Sequence, residues 1–183
     1  MKKALVPLAD GFEDIEAVSI VDVLRRGGVN VVTASLSDGK AVRSAHGIQM
    51  ETDARLPDVL EDEDDAIILP GGGEGTQNLS ECEPLLERLR RQKAEGGLVC
   101  AICAAPTVLE KAEVIEDESV TCYPSCSPQM GRPVESVPVI ADGQIITGQG
   151  PGAAMLFALV VLAHLTDEKT AYGIANGMIT EFS

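Results

Sequence analysis

Cys103 stands where a hydrophobic run, Leu98 to Ile102, passes through Ala104-Ala105-Pro106 into a short helical stretch. A polar atom at a strand-to-helix junction has the layout of a nucleophile elbow, with a thiol in place of a serine hydroxyl. That position predicts a thiol facing unpaired backbone N–H groups and the positive end of a helix dipole, both of which favour thiolate. The competing account is a small apolar filler, since free cysteine is often buried. A second loop carries Pro70-Gly71-Gly72-Gly73. Backbone without side chains approaches a ligand oxygen closely, so the Gly71 and Gly72 amides are candidates for an oxyanion hole. No Gly-Lys-Ser/Thr follows to build a phosphate loop, and no downstream acid completes a dinucleotide site. A tight turn under helix packing is the alternative. A third loop opens on Glu13, Asp14 and Glu16. Dipole compensation accounts for at least two of these acids. One carboxyl turned into a cleft beside a thiolate would have its pKa raised, stay protonated and donate a hydrogen bond to sulfur. Spacing does not choose which acid this is.

Other chemistries fall away by counting. Two histidines, His46 and His164, exclude a three-histidine zinc site. Cys100-x2-Cys103 and Cys122-x3-Cys126 have the outline of a four-thiolate zinc site. A strand over 98–102, however, sends positions 100 and 103 to opposite faces, which also counts against a thioredoxin-type dithiol. Cys100 is then core, Cys82 core or helix surface, and Cys122 and Cys126 either structural or resolving thiols. His164, among Leu159, Val160, Leu162 and Leu165, is expected to pack or cap; His46 is expected at the surface or at a subunit interface. No metal and no cofactor are expected.

The elements that must position these residues alternate along the chain. Lys2–Leu8, Val29–Leu36, Ala66–Leu69 and Leu98–Ile102 have the apolar content of strands. Helical patterns cover Ile15–Arg26, Glu83–Glu95, Ala104–Lys111, Ala153–Leu165 and Glu168–Met178, and Gly27-Gly28 and Gly96-Gly97 stop two of them. Asp38-Gly39 predicts a turn that folds Lys40 onward back as a hairpin, and Asp142-Gly143 a second hairpin within 137–147. Asp58–Asp65 is a solvated acidic connection. Strand-helix alternation predicts an α/β, flavodoxin-like fold: a mostly parallel sheet, helices on both faces and an additional β-hairpin, as one domain over 1–183. In such sheets the site lies past the carboxyl ends of the central strands, which selects the loops after Leu8, Leu69 and Ile102.

The chain has 183 residues and is 45% apolar, enough for a core. Its net charge of −15 leaves no basic stripe to meet a phosphate backbone, so nucleic acid is excluded as a partner. The longest apolar stretch, Ala153–Leu165, is too short to cross a bilayer, and the first residues lack the pattern of a signal peptide. Five cysteines cannot all pair, and a cytoplasmic protein with reduced thiols is expected.

Four segments carry a specific likeness: ADGFEDIEAVSIVDVLRRGG, LPGGGEGTQNLSE, AICAAPTVL and ITGQGPGAA. In order and spacing they resemble the ThiJ/PfpI superfamily over essentially the whole chain, on the branch of the Parkinson's-disease-associated deglycase and its bacterial homologues. The resemblance implies a flavodoxin-like homodimer. It places the reactive cysteine at Cys103, the protonated glutamate at Glu16, oxyanion-type amides at Gly71, Gly72 and Ala104, a second acid at Glu13, and dimer-contact positions at Asp22 and Arg26. Two positions depart from the pattern. Tyr123, before Pro124, replaces a histidine found in many members, and His46 replaces an arginine near the pocket mouth. The first departure counts against a Cys-His dyad and against proteolysis; Tyr123 gates the pocket, bonds a carbonyl or simply packs. The implied activity is a cysteine-dependent conversion of small 2-oxoaldehydes, methylglyoxal or glyoxal, or their protein adducts, to hydroxy acids. It needs neither glutathione nor metal and serves a stress-protective role. The alternative is a non-enzymatic oxidative-stress sensor or chaperone acting through oxidation of Cys103. A thiazole-phosphate biosynthetic role finds no basic phosphate pocket.

Overall fold

A computed structural model describes residues 1–182; the last residue of the 1–183 span lies outside the described residues. The elements run β1 (Lys3–Leu8), α1 (Asp14–Arg26), β2 (Asn30–Ser35), β3 (Ala41–Arg43), β4 (Gln49–Glu51), β5 (Ala54–Arg55), β6 (Ala66–Leu69), α2 (Gly73–Glu81) and α3 (Glu83–Ala94). They continue with β7 (Leu98–Ile102), α4 (Pro106–Lys111), β8 (Val139–Asp142), β9 (Ile145–Gly148), α5 (Ala154–Leu165) and α6 (Glu168–Gly177). Seven strands form one sheet in the order β5-β2-β1-β6-β7-β9-β8. All neighbours are parallel except β8, which closes the edge antiparallel to β9. This is the flavodoxin-like order, and the winding reverses beside β1.

Alternation along the strands sorts the core into two layers. Ala4, Val6 and Leu8 of β1 and Ile68 of β6 meet Ile20 and Leu24 of α1 and Phe157 and Leu162 of α5. Leu5, Ile67 and Val99 point the other way, toward Leu79 of α2, Leu85 and Leu89 of α3 and Leu109 of α4. The apolar runs of β6 and β7 therefore bury both faces, as parallel strands under helices must.

Two local expectations change. Asp38-Gly39 does not fold the chain back on β2. The outer edge of β2 is taken by β5, with Ala34 opposite Ala54. Asp53 holds that edge by accepting from Thr33 N–H (2.9 Å), Thr33 Oγ1 (2.8 Å) and Arg25 (2.8 Å). The hairpin is instead β3–β4, a separate two-stranded sheet that reverses at Gly47, whose φ of 87° suits glycine. The second change is α2, a helix that begins inside the glycine run.

Candidate active site

Backbone hydrogen bonds knit the loops after β1 and β6 together and tie the exit of β7 to β9. Glu13 N–H donates to Gly71 O (3.0 Å), Gly75 N–H to Gly11 O (3.2 Å), and Cys103 N–H to Gly148 O (2.9 Å). Gly72 requires its lack of a side chain: φ is 95°, and a Cβ there would sit 2.2 Å from Gly11 O. Gly75 is likewise pressed against the Gly11 and Phe12 backbone, which explains a glycine inside α2. Gly11 and Gly148 were not legible as site residues; their signal is a glycine at the exit of a buried strand.

Of the three acids opening α1, only Glu16 enters the cleft, and it is fully buried. Its Oε2 accepts from Gly71 N–H at 2.7 Å, while Oε1 makes no hydrogen bond. The Cys103 side chain lies beside the same carboxyl: a Cβ built on Gly71 would meet both Cys103 Cβ (2.7 Å) and Glu16 Oε2 (2.9 Å). Burial pushes the Glu16 pKa up to about 7, opposed by the hydrogen bonds from Gly71 and Cys103 and assisted by the charge of Glu13. Asp14 faces the other way, accepting from Ser44 Oγ and pairing with His46 Nδ1 at 2.8 Å. Despite some desolvation, those partners hold its carboxyl below the ordinary range. Glu13 Oε2 lies 3.9 Å from the same imidazole nitrogen.

Cys103 adopts φ 66°, a left-handed conformation rare outside glycine. This turn ends the alternation of β7 and swings the side chain onto the α1 layer, where Cys100 also packs. Positions 100 and 103 therefore do not face opposite layers as strand alternation predicts. The zinc outline still fails, because Cys122 packs in the other layer. Among the described residues, the group whose ligand atoms converge is Glu13, Asp14 and His46.

The electrostatics of the thiol also differ from the helix-dipole expectation. Burial, the Glu16 charge and the hydrogen bond to its carboxyl push Cys103 up to about 12. The Ala104 and Gly72 amides, which hydrogen-bond the sulfur, pull the other way. α4 begins only at Pro106 and has six residues, so its dipole adds little. The third amide assigned by resemblance, Gly71 N–H, is committed to Glu16 rather than to the sulfur. Glu16 and Cys103 titrate as a pair. Burial raises both groups and the charge of Glu16 raises Cys103 further, so the pair carries one negative charge more readily than two. With the proton on Glu16 Oε1, the sulfur is a thiolate facing two amides.

Tyr123 is tied to the site by its backbone, its N–H donating to Cys103 O at 2.7 Å. Its ring lies over Gly150, where an added Cβ would be 3.3 Å from Cδ2. It borders a 490 Å³ pocket with Pro124, Pro138 and Pro151. All five cysteines are free. Burial raises the Cys100 thiol, and burial with the charge of Cys126 raises Cys122 to about 11. His164 is exposed and bonds Val160 O of its own helix at 2.8 Å. His46 is exposed. Asp22 and Arg26 pair with each other at 2.7 Å on the outer face of α1.

The DJ-1/PfpI family model matches residues 2–164. Protein dj-1beta of Drosophila melanogaster is 40% identical over 185 residues, covering 100% of this chain and 99% of that protein. A Caenorhabditis elegans protein named glutathione-independent glyoxalase DJR-1.2 is 40% identical over 174 residues, 92% of each chain. The solved structure of Toxoplasma gondii DJ-1 in oxidised form superposes with a TM-score of 0.96 at 34% identity, covering all of both chains. No helix among the described residues is long and apolar enough to cross a membrane. The chain belongs to the DJ-1/PfpI family.

Proposed function

We propose that the chain is a cysteine-dependent enzyme that converts small 2-oxoaldehydes to hydroxy acids without glutathione or metal. The observation that carries this is the buried placement of Glu16 and Cys103 side by side at Gly71, with the Gly72 and Ala104 amides next to the sulfur. The name of the C. elegans relative supports the same reaction class.

The pair's thiolate form adds to the aldehyde carbon of methylglyoxal, and Glu16 gives its proton to the carbonyl oxygen, leaving a hemithioacetal. Glu16, now a carboxylate, takes the proton from that same carbon. The ketone carbon is then protonated, so carbon 1 is oxidised and carbon 2 reduced within one molecule. The amides of Gly72 and Ala104 carry the oxyanion formed at carbon 1. Water attacks the resulting thioester, releasing lactate and returning the proton and thiolate to the pair. Protein adducts of the same aldehydes, as hemithioacetals, enter the cycle once carbon 1 expels the protein thiol and the freed aldehyde takes the Cys103 thiolate at that carbon.

The test is turnover of methylglyoxal to lactate, with a chelator and without glutathione. Wild type is expected to turn over, Cys103→Ser to be inactive, and Glu16→Gln to lose about 10²–10⁴-fold. Equal rates in all three overturn the mechanism.

A second role is favoured by the same geometry. Two amides and a protonated carboxyl around sulfur stabilise the oxygens of an oxidised cysteine, and the T. gondii relative was solved oxidised. Peroxide attack on the thiolate gives sulfenate and water, and a second equivalent gives sulfinate. Intact mass after mild peroxide, with oxygen confined to Cys103 and no carbonyl turnover, would make the chain a stress sensor or chaperone instead.

A reducing cytoplasm suits five free cysteines. The exposed Ile15 and Val18, one turn apart on α1, and Ile48, on the hairpin that Asp14 ties to α1, support a homodimer through this face, beside Asp22 and Arg26. Light scattering would report a monomer for Ile48→Glu.

A further inference from the structure

Between α2, α4 and the turn over Pro124–Gln129 lies a second pocket, of about 370 Å³. Gly73 and Ala104 are among its lining residues. These are the residue after Gly72 and the residue whose own amide faces the Cys103 sulfur, so the pocket borders the reactive thiol. None of its lining side chains is charged.

The hydrogen bonds already made around it decide what it takes. Thr107 Oγ1 donates to Ala104 O (2.7 Å), and Ser80 Oγ donates to Gln77 O (2.8 Å). Gln77 Nε2 donates to Glu81 (3.1 Å). The two hydroxyls have committed protons, so their oxygens remain as acceptors, while the Gln77 amide keeps its oxygen and a second N–H. Thr76 is 6% exposed, and its Oγ1 has no partner at all. A buried hydroxyl left unpaired costs free energy unless a ligand or water completes it. Hydroxyl oxygens, the Gln77 and Gln129 amides and one free hydroxyl, with no charge, match a neutral chain of hydroxyls, which both donate and accept. The volume lies at the small end of ligand pockets.

We propose that this pocket is a subsite for the hydroxylated chain of a 2-oxoaldehyde longer than methylglyoxal, with Thr76 setting the preference. This rests on the 2-oxoaldehyde reading of Cys103 and Glu16. The reacting carbonyl sits at the sulfur, and the sugar-derived tail extends past Gly73 and Ala104 toward Thr76.

The experiment compares kcat/KM for 3-deoxyglucosone, a hydroxylated six-carbon 2-oxoaldehyde, with that for methylglyoxal. Wild type is expected to favour the longer substrate. Thr76→Val should lower the ratio of the two values about fivefold, mainly through KM, the worth of one neutral hydrogen bond. Thr76→Ser should restore it. The valine variant should also be no less stable than wild type, which separates lost binding from lost folding. Turnover of methylglyoxal without turnover of 3-deoxyglucosone, or a ratio unchanged in Thr76→Val, overturns the subsite and leaves the reaction standing. Turnover of neither compound overturns the reaction. In that event xylitol, which has the hydroxyls but no carbonyl, decides the subsite by NMR. Amide shifts at Gly73, Thr76 and Thr107 that vanish in Thr76→Val support it, and their absence refutes it.

Discussion

Replacing Glu16 by glutamine isolates the proton that the site stores. Glutamine keeps an oxygen for Gly71 N–H and presents an N–H toward Cys103 where the protonated carboxyl presented an O–H. Shape and hydrogen bonds survive, while titration does not. The folded-state pKa of Glu16 is raised from its ordinary 4.5 to about 7, chiefly by burial. The folded state therefore binds this proton more tightly than the unfolded chain does. The associated stability is fully present below pH 4.5 and is lost as pH rises through about 7. At about 1.36 kcal/mol per pH unit over that interval, the loss amounts to about 3 kcal/mol. Urea unfolding of wild type and Glu16→Gln at intervals from pH 4.5 to 8 measures it. Other groups with raised proton affinity, Asp64 and His46 among them, are common to both proteins and cancel in the difference. The gap between the two proteins should move by about 3 kcal/mol in favour of the glutamine variant as pH rises. Parallel stability curves would mean that Glu16 is ionised throughout, and the shared-proton mechanism would fall with it.

Gly72→Ala forces a Cβ to within 2.2 Å of Gly11 O at a left-handed φ, and should lower the melting temperature sharply or prevent soluble expression. Differential scanning calorimetry checks this, and a change of less than 2 °C would contradict the packing. Arg88 and Asp64, both almost fully buried and 3.3 Å apart, form an ion pair at the other end of the sheet. Arg88→Met should cost about 3 kcal/mol in urea unfolding by leaving the buried Asp64 with only the Lys3 ammonium 3.5 Å away, and adding Asp64→Asn should recover part of it. The hydrogen bond to Asp14 raises the pKa of His46 above its ordinary 6.5. An NMR titration should show that elevation in wild type and its loss in Asp14→Asn.

The parallel sheet and its helices are legible because buried strands and amphipathic helices differ in period, and the β1, β6 and β7 exits then locate the site. Cys103 and the acids of α1 are legible as chemical types in those exits. What escapes is contact-dependent. α2 hides in Gly73-Glu74-Gly75 because glycine disfavours helix, yet Gly75 is there to let the helix touch the Gly11 backbone. Asp38-Gly39 has the composition of a hairpin turn, but tertiary pairing of β5 with β2 overrides it. The choice of Glu16 among three acids depends on which one rotates under Gly71. The pKa of the thiol depends on how deeply the pair is buried, a property of the assembled loops and not of the elbow alone.

The left-handed backbone at Cys103 has an evolutionary consequence. A cysteine held there costs on the order of 1 kcal/mol in local strain that glycine would not incur. Drift toward stability at this position therefore favours the residue that erases the nucleophile. A lineage that no longer needs the thiol should lose it readily, by a change that also relaxes the fold. Its retention here is then a sign of continuing selection on the sulfur itself.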